Sequence, residues 1–171
     1  MRYNAAVITM SDKGSAGQRV DTSGPAIVEI LKANHWETVY TSIIPDDFDT
    51  IKKELIKCSD ELEVCLVITT GGTGFSLRDV TPEATKAVIE REVPGIPQAM
   101  IAESLKITPM GMLSRAAAGL RKKTLIVNLP GSQKAATECL EAVIRPIRHG
   151  VDVLCGASHD CAALHKHHSH E

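Results

Sequence analysis

Thr69-Thr-Gly-Gly-Thr-Gly-Phe-Ser-Leu-Arg-Asp-Val-Thr-Pro-Glu-Ala-Thr85 is the stretch on which the reading of the chain turns. The apolar run at 64–68 leads into it as a strand would. A helix start follows, with Thr81 as candidate N-cap, Pro82 at the first helical position and Glu83 in the first turn. The order is therefore strand, glycine-rich loop, acid, helix. Gly71, Gly72 and Gly74 let the backbone adopt shapes closed to other residues and approach a ligand closely. Successive N–H groups in such a loop can bind an anion, most often phosphate. Asp79 does not attract phosphate itself; it suits a magnesium ion or the fixing of a donor. A lone Gly-Gly-X-Gly reads more simply as a tight turn. Arg78-Asp79 and the Thr-Pro-Glu cap tip this one towards a binding site.

The flanking sequence repeats the same alternation. Residues 5–11 form a nearly continuous apolar run, as in a strand buried on both faces. A polar loop at 11–23 carries Asp12, Gly14, Gly17 and Asp21, and a helix is expected from about Gly24-Pro25, with Ala26, Ile27, Ile30 and Leu31 on one face. Residues 38–44 read as a second strand. It ends at Pro45-Asp46-Asp47, where either acid can cap a helix with Phe48, Ile51, Leu55 and Cys58 on one face. The helix after Pro82 is expected to carry Ala84, Ala87 and Val88, with Arg91 in its last turn. Pro94-Gly95-Ile96-Pro97 breaks the chain, residues 98–106 form a short helix, and 108–120 read as an irregular segment with a small-residue helical turn. Residues 124–129 are another buried strand. Ser132 caps a final helix with Ala136, Cys139, Leu140, Val143, Ile144 and Ile147 on one face, which Pro146 should kink or split.

This alternation predicts one three-layer α/β domain over residues 1–155, a mostly parallel sheet with helices on both faces. A polar tail at 156–171, expected to be flexible, holds five of the seven histidines. Cys155, His159, Cys161, His165, His167, His168 and His170 match no zinc spacing, so no specific site is expected there. The 171 residues suffice for one core. Aromatics make up 3% and the net charge is −2, which argues against a stacking platform for single strands and against a general nucleic-acid binder. There is no apolar run of membrane-spanning length and no signal-peptide pattern, so a cytoplasmic protein without a membrane partner is expected. Five cysteines without a Cys-x-x-Cys pair fit reduced thiols.

Ligands of open parallel sheets bind at the carboxyl ends of the strands. The loops there are 11–23, 45–47, 71–81 and 128–132; they supply Asp12, Asp46, Asp47, Asp79, Asn128 and Arg78. Carboxylates beside a phosphate loop are the usual equipment for Mg²⁺ and nucleotide phosphates. If one of Asp46 and Asp47 caps the helix, the other is left for a ligand. No Gly-Lys-Ser/Thr follows the glycines, no Gly-x-Gly-x-x-Gly occurs here, and no serine nucleophile elbow is present.

Six motifs in order carry a family resemblance. They are residues 70–74 (Thr-Gly-Gly-Thr-Gly) with 78–83 (Arg-Asp-Val-Thr-Pro-Glu), Pro94-Gly95, Glu103-Ser104-Leu105, Leu113-Ser114-Arg115 and 126–131 (Ile-Val-Asn-Leu-Pro-Gly). Together, over about 3–154, they resemble the MogA-type molybdopterin adenylyltransferases, whose superfamily includes MoaB and the G domain of gephyrin. The resemblance implies the molybdopterin-binding fold, a homotrimer, and the joining of ATP and molybdopterin into adenylyl-molybdopterin with release of pyrophosphate. A molybdate-inserting enzyme of the same pathway would be the protein partner. By motif, Asp46 and Asp79 match the catalytic acids and would hold Mg²⁺. Gly71, Gly72, Thr73, Gly74, Asp12, Ser104, Ser114, Arg115, Asn128, Pro130 and Gly131 would contact the substrates. The phosphate of molybdopterin is already a competent nucleophile, so alignment and charge neutralisation are the main tasks. Arg78, Arg115 or Lys134 could supply positive charge. The chain has Pro130-Gly131-Ser132-Gln133 where the family often has Pro-Gly-x-Pro. A pterin-binding or scaffolding protein without strong transferase activity, like the MoaB or gephyrin branches, is the competing expectation.

Overall fold

In chain order the elements are β1 (Asn4–Met10), α1 (Asp12–Ser15), α2 (Ser23–Ala33), β2 (Glu37–Ile44), α3 (Phe48–Ile56), β3 (Leu66–Thr70), α4 (Thr81–Lys86), β4 (Arg91–Glu92), α5 (Gly95–Leu105), β5 (Ala118–Arg121), β6 (Thr124–Leu129) and α6 (Gln133–Leu154). A π-helical turn (Lys57–Glu61) extends α3, and a 3₁₀ turn (Pro109–Leu113) follows α5. The computed structural model describes residues 3–156. Apart from Gly156, the histidine-bearing tail lies outside the described residues.

One six-stranded sheet has the order β2-β1-β3-β6-β5-β4. The first four strands are parallel, and β5 runs antiparallel to both β6 and β4. The buried runs seen in the sequence are thus the parallel strands, as expected. Their alternation divides the core in two. Ala5, Val7, Leu66, Ile68, Leu125 and Val127 pack with α2, α5 and α6. Ala6, Ile8, Met10, Val67 and Ile126 pack with α3 and α4. Each fully buried Ile or Leu contributes about 1.5–3 kcal/mol. The rigidity of the strand ends therefore comes from this two-sided burial, not from the polar loops they carry.

Several local expectations differ from the structure. The helix after Pro82 stops at Lys86, and Arg91 lies in the edge strand β4. Ala116–Ala118 is not a helical turn, because Ala118 opens β5 and pairs with Val127. Helix α5 starts at Gly95, with Pro97 in its first turn, where a missing N–H costs nothing. Phe48 is exposed instead of facing the core. Pro146 neither splits nor ends α6: it faces solvent, so the carbonyl it leaves unpaired lies beside water. Thr81 is not the N-cap of α4. Val80 holds that position, and Thr81 is fully buried with an unpartnered hydroxyl.

At the edge where the strands begin, Tyr3 packs edge-on against the buried Trp36, with ring centroids 5.3 Å apart. The Arg148 guanidinium lies 3.7 Å over the Tyr3 ring, and the Tyr3 hydroxyl bonds Asp152.

Candidate functional site

The strand order reverses at β1, with β2 on one side of it and β3 on the other. The crevice for a ligand therefore falls beyond the carboxyl ends of β1 and β3. A chamber of about 360 Å³ opens there, lined by Met10 and Ser11 after β1, and by Thr70, Gly71, Gly72 and Asp79 after β3. Asp46 enters from β2, and Gly131 and Ser132 from β6. Gly71 is required by the crowding at this edge: its φ is +98°, and a Cβ would lie 2.5 Å from the Met10 carbonyl oxygen. At Gly72 φ is +67°, and a Cβ would run into the buried Thr81 hydroxyl and approach Asp46 Oδ1 to 3.2 Å.

The two neighbouring acids separate as the capping argument allows. Asp47 caps α3, accepting from Thr50 N at 2.9 Å. Asp46 is left for the chamber. It also forms a reciprocal pair with Asp12: Asp12 N donates to Asp46 Oδ2 and Asp46 N to Asp12 Oδ1, each at 3.0 Å. Arg78 reaches from the glycine loop and grips Asp12 with two hydrogen bonds of 3.0 and 2.9 Å. Arg78 and the Asp46 amide hold the Asp12 carboxyl below its usual range. Asp46 moves the opposite way. Burial pushes its pKa up, and the charges of Asp12 and Asp79 push in the same direction. A half-buried carboxyl disfavoured as an anion and facing other carboxylates is a place where a cation lowers the free energy.

Arg115 fixes the loop from the other side. Its Nε donates to the Gly74 carbonyl at 2.7 Å, one terminal nitrogen donates to the Asp79 carbonyl at 2.7 Å, and the other pairs with Glu83. The Gly72 and Thr73 carbonyls accept from Thr81 N and Arg115 N, each at 3.1 Å. Three consecutive carbonyls are thus held by protein donors. A trans peptide points its N–H opposite its C=O, so the amides of Thr73, Gly74 and Phe75 point away from this clamp.

A second chamber, of about 270 Å³, lies across the loop. Thr73, Gly74, Ser104, Ser114 and Pro130 line it, together with apolar Met100, Ile101, Ile107 and Leu113. The residues expected at the ligands therefore fall into three groups. Asp46, Asp79, Gly71, Gly72 and Gly131 line the polar chamber. Thr73, Gly74, Ser104, Ser114 and Pro130 line the apolar one. Asp12, Arg115 and Asn128 line neither. Asn128 is fully buried; its amide donates to the Thr69 and Thr85 hydroxyls at 3.0 and 2.9 Å, and its oxygen accepts from Ala117 N at 3.1 Å. It ties β6 to β3 and α4 beneath the site and lines neither chamber. The side chains of Asp12 and Arg115 are engaged with Arg78, the Asp46 amide and the loop carbonyls. Arg78 and Arg115, expected as sources of positive charge, are spent on these contacts.

Sequence reasoning missed Arg19, Asp21 and Ser23 in the polar chamber. Asp21 accepts from Ser23 N and Gly24 N at 3.0 Å and from the Thr9 hydroxyl at 2.6 Å, so it caps α2. The signal was an acid two residues before a helix start. Arg19 gave no signal, because nothing in its neighbours aims it.

Asp46 and Asp79 fit a magnesium ion on their chemistry. Mg²⁺ takes one or two carboxylates and completes its shell with water and substrate phosphates. Among the described residues no group of three or more His, Cys, Asp or Glu could hold a metal ion by itself.

A family model described as "Probable molybdopterin binding domain" matches residues 6–149. A molybdopterin adenylyltransferase of Helicobacter pylori is 48% identical over 153 residues, covering 88% of this chain and 86% of that one. The Escherichia coli molybdopterin adenylyltransferase is 42% identical over 140 residues, covering 80% and 71%. Among solved structures, the molybdopterin biosynthesis enzyme MoaB of Thermus thermophilus superposes with a TM-score of 0.86 at 44% identity, covering 90% of this chain and 97% of that one.

Proposed function

The chain belongs to the molybdopterin-binding domain family of molybdenum cofactor biosynthesis, and from that premise we propose how its two chambers perform the family's chemistry. The protein is a molybdopterin adenylyltransferase. It transfers AMP from ATP to the terminal phosphate of molybdopterin, giving adenylyl-molybdopterin and pyrophosphate. The observation that carries this reading is the glycine loop standing between a polar chamber with carboxylates and an apolar chamber. A reaction that joins two phosphates needs such a partition. The apolar side takes a planar heterocycle, and the polar side takes the charged phosphates. The clamped glycine loop, which borders both chambers, aligns the phosphates for in-line attack, which is the larger part of the task when the nucleophile is already ionised. Arg19, at the rim of the polar chamber, offsets part of the phosphate charge.

Asp46 and Asp79 would hold a Mg²⁺ ion, which would supply charge neutralisation of the phosphates. Ser104 and Ser114 orient the ring on the apolar side. Asp12, Arg78 and Arg115 keep the loop and the first acid in place. A homotrimer in the cytoplasm, handing its product to a molybdate-inserting enzyme, completes the proposal.

The likeness to a MoaB structure supports a second reading, in which the chain binds pterin without strong transfer activity. The half-buried Asp46 favours transfer, because a pterin binder gains nothing from a carboxylate disfavoured by its surroundings. Incubation of the pure protein with molybdopterin, ATP and Mg²⁺ decides between the two. The AMP adduct and pyrophosphate are the expected products. Pterin binding without adduct overturns the transferase reading and leaves the second one.

A further inference from the structure

A separate cleft opens at the opposite edge of the sheet, where the strands begin. It is lined by Ser59, Glu63, Cys65, Lys122, Lys123 and Cys155, among others. Cys65 directly precedes β3, and Cys155 is the C-cap of α6. Both thiols line this one cleft, close enough for the charge of one to act on the other. Both are half-buried and packed against the core. Both backbones are held: Cys65 N is bonded to Asn4 O at 3.1 Å and to Asn4 Oδ1 at 2.9 Å, and its carbonyl accepts from Leu125 N at 3.0 Å. Cys155 N donates to Val151 O at 2.9 Å. The two cysteines therefore come to one cleft from distant parts of the chain, each on a backbone held by hydrogen bonds. The other described cysteines differ. Cys58 and Cys139 are buried away from solvent, whereas Cys65 and Cys155 are partly exposed, and burial pushes the Cys58 thiol up to about 12.

We propose that Cys65 and Cys155 form a reversible thiol–disulfide site whose co-reactant is an anionic low-molecular-weight disulfide. The shared cleft supplies the pair, and Lys122 and Lys123 lining it supply the preference for an anion. Lys122 already pairs with Asp60 at 3.2 Å, which leaves Lys123 as the main attraction. In the first step the Cys155 thiolate attacks one sulfur of the external disulfide, forming a mixed disulfide and releasing one thiolate. In the second step the Cys65 thiolate attacks the Cys155 sulfur, forming the Cys65–Cys155 bond and releasing the other thiolate. Two protein thiols are oxidised and one external disulfide is reduced, and the two protons pass to the released thiolates. The product ties the start of β3 to the end of α6 and closes a long loop of chain, which stabilises the fold.

The charged groups facing the pair are Lys122, Lys123, Glu63 and Asp152. Burial, Cys65 and Asp152 raise the Cys155 thiol and Lys123 lowers it, with a net rise. Exchange therefore quickens as pH increases through the alkaline range.

The test treats the full chain with oxidised glutathione, or with neutral hydroxyethyl disulfide, and reads intact mass, cross-linked peptides and Tm. The wild type is expected to lose two hydrogens, to give a Cys65–Cys155 peptide pair, and to gain roughly 5–10 °C in Tm, all reversed by dithiothreitol. Cys65→Ser is expected to stop at a mixed disulfide on Cys155. Lys123→Ala is expected to slow glutathione several-fold while leaving the neutral reagent unchanged. Three results overturn the proposal: mixed disulfide on Cys155 that never closes onto Cys65 in the wild type, linkage of Cys155 to Cys161, or equal reaction at Cys58 and Cys139. If Cys65→Ser does not fold, the peptide map of the wild type decides by itself.

Discussion

At the scale of single residues, Asp46 is the group whose surroundings work hardest against its charge. Its carboxyl has a pKa above the ordinary 3.8, first through burial and then through Asp12 and Asp79. Between the ordinary and the raised value the folded chain binds more protons than the unfolded one, so stability falls as pH rises through that window. Above it the ionised carboxyl is a lasting cost. Asp46→Asn removes that cost and keeps an oxygen to accept from Asp12 N. It is expected to raise Tm by about 2 °C in the absence of ligands, while adenylylation falls by about 100-fold or more. Calorimetry and the adduct assay read the two effects, and a loss of both stability and activity would contradict this account. If Asp46 holds the proposed metal as its anion, the acid limb of the pH profile of kcat/KM is expected above the ordinary aspartate range, and a limb within that range would contradict this role. Gly72 is the second sensitive residue. Its φ of +67° disfavours any side chain, and a Cβ would strike Thr81. Gly72→Ala is expected to cost about 1–3 kcal/mol in urea denaturation and to abolish transfer. Adding Thr81→Ala should restore part of the stability but not the backbone strain.

At the scale of elements, the glycine loop is held by one side chain more than by any other. Arg115 reaches two loop carbonyls and Glu83 with a planar fork that lysine cannot reproduce. Arg115→Lys is expected to raise KM for both substrates by about tenfold with a smaller change in kcat, since the loop borders both chambers. An effect confined to one substrate would place Arg115 at a ligand instead. β1, β3 and β6 were legible because a strand buried on both faces needs a nearly continuous apolar run, which residues 5–10, 66–70 and 124–129 supply, and β2, an edge strand exposed on one face, was legible from its β-branched residues at 38–44. β5 was not legible. Ala118-Gly-Leu-Arg121 has no apolar run of its own and is a strand only because β6 offers an open edge. Thr81 was misjudged because its capping pattern was sound locally. The loop's Gly72 packs over it, and burial overrides the cap. Asp46 and Asp79 were legible as acids at strand ends. Asn128 looked like one more polar group at the same edge, and nothing in a single sequence says that its side chain points down onto Thr69 and Thr85 rather than up into the crevice. Arg115 as a clamp depends on contacts some forty residues away and could not be read at all.

At the scale of the whole molecule, both chambers open on the face where strands end, and the thiol cleft opens on the face where they begin. The exposed Leu105, Ile107, Met110, Met112 and Leu113 lie along and after α5, beside the apolar chamber. A trimer is expected by light scattering, and a monomer at micromolar concentration would remove that part of the proposal. The chain's one tryptophan belongs to the far face, buried against Tyr3 and lining neither chamber. Intrinsic fluorescence is therefore an optical record of whether the α2–β2 corner is folded, and it stays silent when the chambers fill. A titration followed by Trp36 emission measures the fate of the scaffold, and a label introduced at the glycine loop would be needed to watch the reaction.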